Sequence, residues 1–164
     1  MWRDAQVAGR EELRPVAADS LHLTLAFLGY LPEREIDRVA EVALAPAAGR
    51  RAPTLVPLGA VGVPRSRPRL IALDLEDTGG GATALQSAVS ERLVRARLYR
   101  PEKRPFWPHI TLARVKRGAR ARPLEPGPVP TAKLEAIRLT LYRSTLRPQG
   151  ALYEPLAAAE LLGG

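Results

Sequence analysis

The chain has no cysteine among its 164 residues, which excludes disulfides, thiolate metal ligands and cysteine nucleophiles. It has only two histidines. A structural zinc site would have to be assembled from these two and carboxylates, so no metal centre and no cofactor are expected. No apolar run approaches the length of a membrane span, and Met1 to Gln6 are too polar for a secretory leader, so a cytoplasmic protein without membrane contact is expected. Gly79-Gly80-Gly81 lacks the Gly-Lys-Ser or Gly-Lys-Thr that would complete a phosphate-binding P-loop and reads as a flexible turn. Lysine is scarce as well, since Lys103, Lys116 and Lys133 are the only lysines among the 25 basic residues. The others are arginines, which suit planar, bidentate phosphate recognition, although a GC-rich coding sequence would give the same bias.

The placement of that charge is more telling than its identity. Against a formal net charge of +8, the segment from Arg92 to Arg122 holds eleven basic residues and one acid, Glu102. A basic run is usually a solvated face, but this one surrounds the second of two repeated motifs and favours a phosphate-rich ligand.

Those motifs organise the chain. In Leu21-His22-Leu23-Thr24-Leu25-Ala26, three leucines alternate with His22, Thr24 and Ala26, the period of a half-buried strand. Pro108-His109-Ile110-Thr111-Leu112-Ala113 repeats it, with His109, Thr111 and Ala113 on one face and Ile110 and Leu112 on the other. A single histidine on such a strand is usually a hydrogen-bonded core residue. With 8 threonines in the chain, a threonine two places after a histidine arises by chance about once in twenty, so the double occurrence reverses that reading.

Around the motifs the sequence predicts a mixture of helices and strands. Arg14 to Ser20 reads as a loop. A helix is predicted from Leu31 to Pro46, with Ile36, Val39, Ala40, Ala43 and Leu44 at helical spacing, and a second over Ala84 to Arg97. Thr54 to Val63 is extended, Leu70 to Leu75 is a buried strand, and Ala121 to Pro130 is a proline-rich loop. Leu134 to Ser144 and Ala151 to Leu156 are strands joined by a turn at Gln149-Gly150. Helices and strands do not alternate strictly, so an α+β fold with largely antiparallel sheets is expected, as a single domain over residues 1–164.

Two histidines across a site can be one protonated and one neutral, so that one delivers a proton while the other removes one, which is what splitting a phosphodiester requires. Each threonine hydroxyl lies ~6–7 Å along the strand from its histidine, within reach of a phosphate oxygen. These residues resemble the 2H phosphoesterases, named for paired His-x-Thr-x motifs, and within them the bacterial RNA 2′,3′-cyclic phosphodiesterases, also called 2′-5′ RNA ligases. The resemblance is carried by Ser20 to Gly29 and Arg104 to Arg114, and further by Leu141-Tyr142-Arg143-Ser144 and Tyr153-Glu154-Pro155-Leu156.

The resemblance implies a bilobed, pseudo-two-fold fold in which each lobe supplies one motif strand to a central cleft. It implies His22 as the acid that protonates a departing 3′ oxygen, His109 as the base that activates water, and Thr24 and Thr111 as holders of the phosphate oxygens. Arg114 is a weaker phosphate ligand by the same comparison, and Phe27, by alternation, is expected in the core. The implied substrate is RNA ending in a 2′,3′-cyclic phosphate, tRNA-derived ends included, hydrolysed by a monomer to a 2′-phosphomonoester without metal. Other readings are a 2′-5′ linkage made or cut at the same site, a small cyclic phosphate, or an RNA-binding module without catalysis in which Trp107 and Tyr99 stack on bases. The family also carries a first strand and helix that the residues before His22 are too few to supply. The first lobe is therefore expected to lack its N-terminal strand, residues 1–15 to form a helix remnant or a poorly ordered N-terminus, and Met1 not to be the family's usual start.

Overall fold

A computed structural model describes residues 2–124, 127–147 and 150–163. Strands β1 (Leu13–Pro15), β2 (Thr54–Val63), β3 (Leu70–Thr78), β4 (His109–Val115) and β5 (Leu134–Glu135) make one sheet in the order β1-β4-β3-β2-β5. Strands β6 (Arg138–Arg147) and β7 (Gly150–Glu160) form a separate antiparallel pair. With helices α1 (Trp2–Val7), α2 (Ile36–Leu44) and α3 (Gly81–Arg95), the fold is α+β as expected. Both pairings of β4, with β1 and with β3, are antiparallel. Among the described residues no helix is long and apolar enough to cross a membrane.

The chain divides into two compact units. The first comprises residues 1–24, 55–76 and 107–134. Along β3, Ile71, Leu73 and Leu75 are buried on one face together with Leu13, Leu112 and Ala113, whereas on the other Ala72 is buried and Leu70 and Asp74 are half-buried. The residues ahead of Val16 contribute a six-residue helix and a three-residue strand. Pro15 is tolerated in β1 because that strand is at the sheet's edge and need not donate outward. Helix α1 is tied down by the Trp2 indole N–H, which donates to the Pro128 carbonyl, and by Arg3, which donates to the Val16 carbonyl at 2.7 Å.

The second unit comprises residues 25–54, 77–106 and 135–164. Its core is built from Val39 and Ala43 of α2, Leu85, Val89 and Leu93 of α3, and Leu98 and Leu161. Helix α2 is entered through a 3₁₀ turn, Glu33–Glu35, and left through another, Ala45–Ala47, close to the predicted bounds. Helix α3 ends with Arg97 in the left-handed region at φ 61°. There the Leu98 N–H reaches the Leu93 carbonyl and the Arg97 N–H the Val94 carbonyl, both at 2.9 Å. Leu93 and Leu98 share the core, so packing offsets the cost of a non-glycine residue in that conformation, about 1–2 kcal/mol.

Three sequence expectations meet a different structure. The motif segment Leu21 to Ala26 is not a regular strand and pairs only through an isolated antiparallel bridge, Leu23↔Ile110. The reason lies on β4, whose edge is already covered at Ala113 to Val115 by β1, with the Val16 N–H on the Leu112 carbonyl at 2.8 Å. The chain then bulges away through a 3₁₀ turn, Ala18–Ser20, and returns in time to meet only Ile110. Without a continuing strand the alternation fails, and Phe27 is 69% exposed instead of in the core. Third, Arg14 and Pro15 are strand where a loop is predicted. Gln149 of the predicted turn and residues 125–126 of the proline-rich loop lie outside the described residues.

Candidate active site

His22, Thr24, His109 and Thr111 all belong to the first unit, not one pair to each unit. The bridge Leu23↔Ile110 sets their arrangement, because the antiparallel register puts His22 opposite Thr111 and Thr24 opposite His109. Residues directly opposite one another share a face, so the four polar side chains leave one side while Leu23 and Ile110 leave the other. The two histidines occupy one diagonal of this square and the two threonines the other. Diagonal Cβ atoms in such a pair are roughly 7–8 Å apart, room for a tetrahedral phosphate between them. His22, His109 and Thr111 are half-buried and Thr24 is exposed, as a ligand-accessible site requires.

The backbone fixes the tautomer of both imidazoles in the same way. His22 Nδ1 lies 2.8 Å from the Ser20 carbonyl oxygen, and His109 Nδ1 lies 2.8 Å from the Trp107 carbonyl oxygen. A carbonyl can only accept, so Nδ1 carries a hydrogen in each ring, which leaves Nε2 as the ring atom able to take up or give a proton. Each motif therefore contains its own orienting group, the carbonyl two residues before the histidine.

His109 has further support. The Trp107 ring lies flat against it, with centroids 4.1 Å apart and planes 13° from parallel. The Trp107 indole N–H donates to Asp74 Oδ1 at 2.7 Å, and Asp74 is the β3 residue paired with His109. One face of Trp107 is thus taken by the histidine. The sequence does not mark Asp74 as a partner of the site, although it is the only charged side chain within the apolar run Leu70 to Leu75, and it offers Trp107 only as a base-stacking residue.

Arg114 reaches the site by an irregularity. β3 pairs Ala72 with Thr111 but Ile71 with Ala113, leaving Leu112 as an extra residue on β4. A bulge of this kind shifts the alternation by one. Leu70 and Ala72 share a face of β3, and their partners are Arg114 and Thr111, so Arg114 is on the histidine face. Ala113, expected on that face from the sequence, is turned away and fully buried. The remaining basic residues of the Arg92 to Arg122 segment divide between the two units.

Comparison with known proteins assigns this geometry to a class. Residues 2–147 match the 2′-5′ RNA ligase superfamily, and the chain belongs to it. It is 33% identical over 152 residues to an RNA 2′,3′-cyclic phosphodiesterase of Aeropyrum pernix, covering 88% of this chain and 84% of that protein. It is 35% identical over 148 residues to an Escherichia coli protein of the same description, covering 87% and 77%. Among solved structures, a Thermus thermophilus protein superposes with a TM-score of 0.83 at 29% identity, covering 98% of this chain and 88% of the other. Escherichia coli LigT complexed with 3′-AMP superposes with a TM-score of 0.71 at 30% identity, covering 98% and 87%.

Proposed function

We propose that this enzyme hydrolyses RNA 2′,3′-cyclic phosphate ends to 2′-phosphomonoesters, with His22 as acid and His109 as base. The observation that carries the reading is the crossed square of two histidines and two threonines on one face. His109 Nε2 takes a proton from water as its oxygen bonds to phosphorus. The bond from phosphorus to the 3′ oxygen breaks, and His22 Nε2 delivers a proton to that oxygen. The diagonal arrangement suits an in-line displacement, because attacking and leaving oxygens lie on opposite sides of phosphorus. The Thr24 and Thr111 hydroxyls donate to the non-bridging oxygens, where negative charge must be held. These groups supply acid, base and charge stabilisation themselves, so the reaction as written needs no metal. Incubating a short RNA with a 2′,3′-cyclic phosphate end in excess chelator tests it. A 2′-phosphate product is expected; a 3′-phosphate product, or loss of turnover with chelator, would overturn the mechanism.

A further inference from the structure

The shift of register that brings Arg114 onto the histidine face brings Arg14 with it. β1 pairs Arg14 directly with Arg114, so both guanidinium-bearing side chains leave the same face as His22 and Thr111. Burial supports this phasing. Leu13, Ala113 and Ile71, which the same register puts on the other face, are 4%, 0% and 0% exposed, whereas Arg14 is half-buried and Arg114 exposed, with only the small Ala72 buried beside them on β3.

We propose that Arg14 and Arg114 form a second phosphate subsite, which takes the phosphodiester on the 5′ side of the nucleotide whose cyclic phosphate is cleaved. The inference rests on the function proposed above. On β3 the partners of Arg114 and Thr111 are two residues apart, so the arginine pair lies ~6–7 Å from the His22–Thr111 pair, a span that a ribose and its 5′ carbon can bridge. Direction agrees as well. The pair adjoins His22, which faces the leaving 3′ oxygen, and from C3′ the chain runs through C4′ and C5′ to the next phosphate. Each guanidinium can grip a phosphodiester through two N–H groups. Such contacts bind the backbone without reading the base, so the subsite selects RNA ends over mononucleotides and not one sequence over another.

Two measurements separate this inference from the reading beneath it. Equilibrium binding of adenosine 3′-phosphate and of the dinucleotide ApAp is compared for wild type, Arg14→Ala and Arg14→Lys. Turnover is followed in parallel on adenosine 2′,3′-cyclic phosphate and on the dinucleotide with a cyclic end. Wild type is expected to prefer the dinucleotide in both assays. Arg14→Ala should lower that preference about tenfold, as expected for a lost charge-assisted contact, and Arg14→Lys should restore part of it. A neutral methylphosphonate at the upstream linkage should remove the preference from wild type and make it insensitive to Arg14→Ala. Equal losses on mononucleotide and dinucleotide, or a preference that survives the neutral linkage, would overturn the subsite. Absent turnover with the binding preference intact would overturn the proposed reaction and retain the subsite.

Discussion

His22 and His109 are oriented by the same hydrogen bond, Nδ1 to the carbonyl two residues earlier, but on backbones that pair with the sheet differently. His109 opens a seven-residue strand paired on one side with β3, and its ring is stacked on Trp107, which Asp74 holds in turn. His22 lies in an extended segment that meets the sheet at Leu23 alone among the pairings described. The orienting bond is thus local, a property of a tripeptide ending in histidine. The long-range backbone context differs: a full strand carries His109 and a single bridge follows His22. If both histidines are chemically required, that difference should show in positioning and stability but not in the cost of deleting either ring.

Deleting the rings is the largest test. His22→Ala and His109→Ala should each lower kcat on a cyclic-ended RNA by about 10²- to 10⁴-fold, the range of general acid and base groups, and the wild-type pH–rate profile should be bell-shaped. A large loss in one variant only would mean that the two motifs differ in chemistry as well as in support.

The threonines come next. Thr24→Val and Thr111→Val should each reduce kcat on the order of 10-fold, since each loses one hydrogen bond to a charged oxygen, and serine at either position should recover most of it. Thr24 is exposed and Thr111 half-buried, so a larger loss at Thr111 would show that burial strengthens its contact.

A smaller effect should belong to His109 alone. Trp107→Ala removes the stacked ring, and with aromatic pairs contributing about 0.5–1.5 kcal/mol, kcat should fall about 2- to 10-fold. Trp107→Phe, which keeps the ring but not the bond to Asp74, should recover part of the loss with KM unchanged. If Trp107→Phe is as impaired as Trp107→Ala, the hydrogen bond to Asp74 is the effective restraint and the stacking is incidental.

What the sequence made legible follows the same division between local and distant. The helices around Val39 and Ala43 and around Leu85, Val89 and Leu93, the strand Leu70 to Leu75, and the paired His-x-Thr motifs all carry their periodicity in consecutive residues. The Trp107–Asp74 bond spans 33 positions and has no local signature. The bulge at Leu112 falls in Ile110 to Ala113, with no glycine or proline to mark it, so simple alternation assigns Ala113 to the site and Arg114 away from it, the reverse of what the register shows. Likewise, the alternation of Leu21 to Leu25 describes which residues share a face. It does not reveal that β1 has already taken the edge of β4 on which a strand would form.

The smallest expected effect separates stability from positioning on β3 itself. Asp77 is three residues from Asp74 and, by alternation, on the opposite face. Its carboxylate accepts from the Ala82 N–H at 2.9 Å, and from the Thr83 N–H and hydroxyl at 2.7 Å each, capping the first turn of α3. Partial burial pushes its pKa upward, but these hydrogen bonds outweigh it, the Thr83 hydroxyl first, and hold the group below its ordinary 3.8. The carboxylate is therefore favoured in the folded chain. Its contribution is fully present above the unfolded value of 3.8 and is lost as pH falls through the lower folded value. Asp77→Ala should cost about 1 kcal/mol of stability at neutral pH, read from denaturant midpoints, and the difference from wild type should shrink below pH 4. Turnover at neutral pH should be retained. Asp74→Asn, on the same strand, should do the reverse, lowering kcat more than it lowers stability. If the two variants lose activity in proportion to stability, the support that Asp74 gives to His109 is only the general firmness of β3.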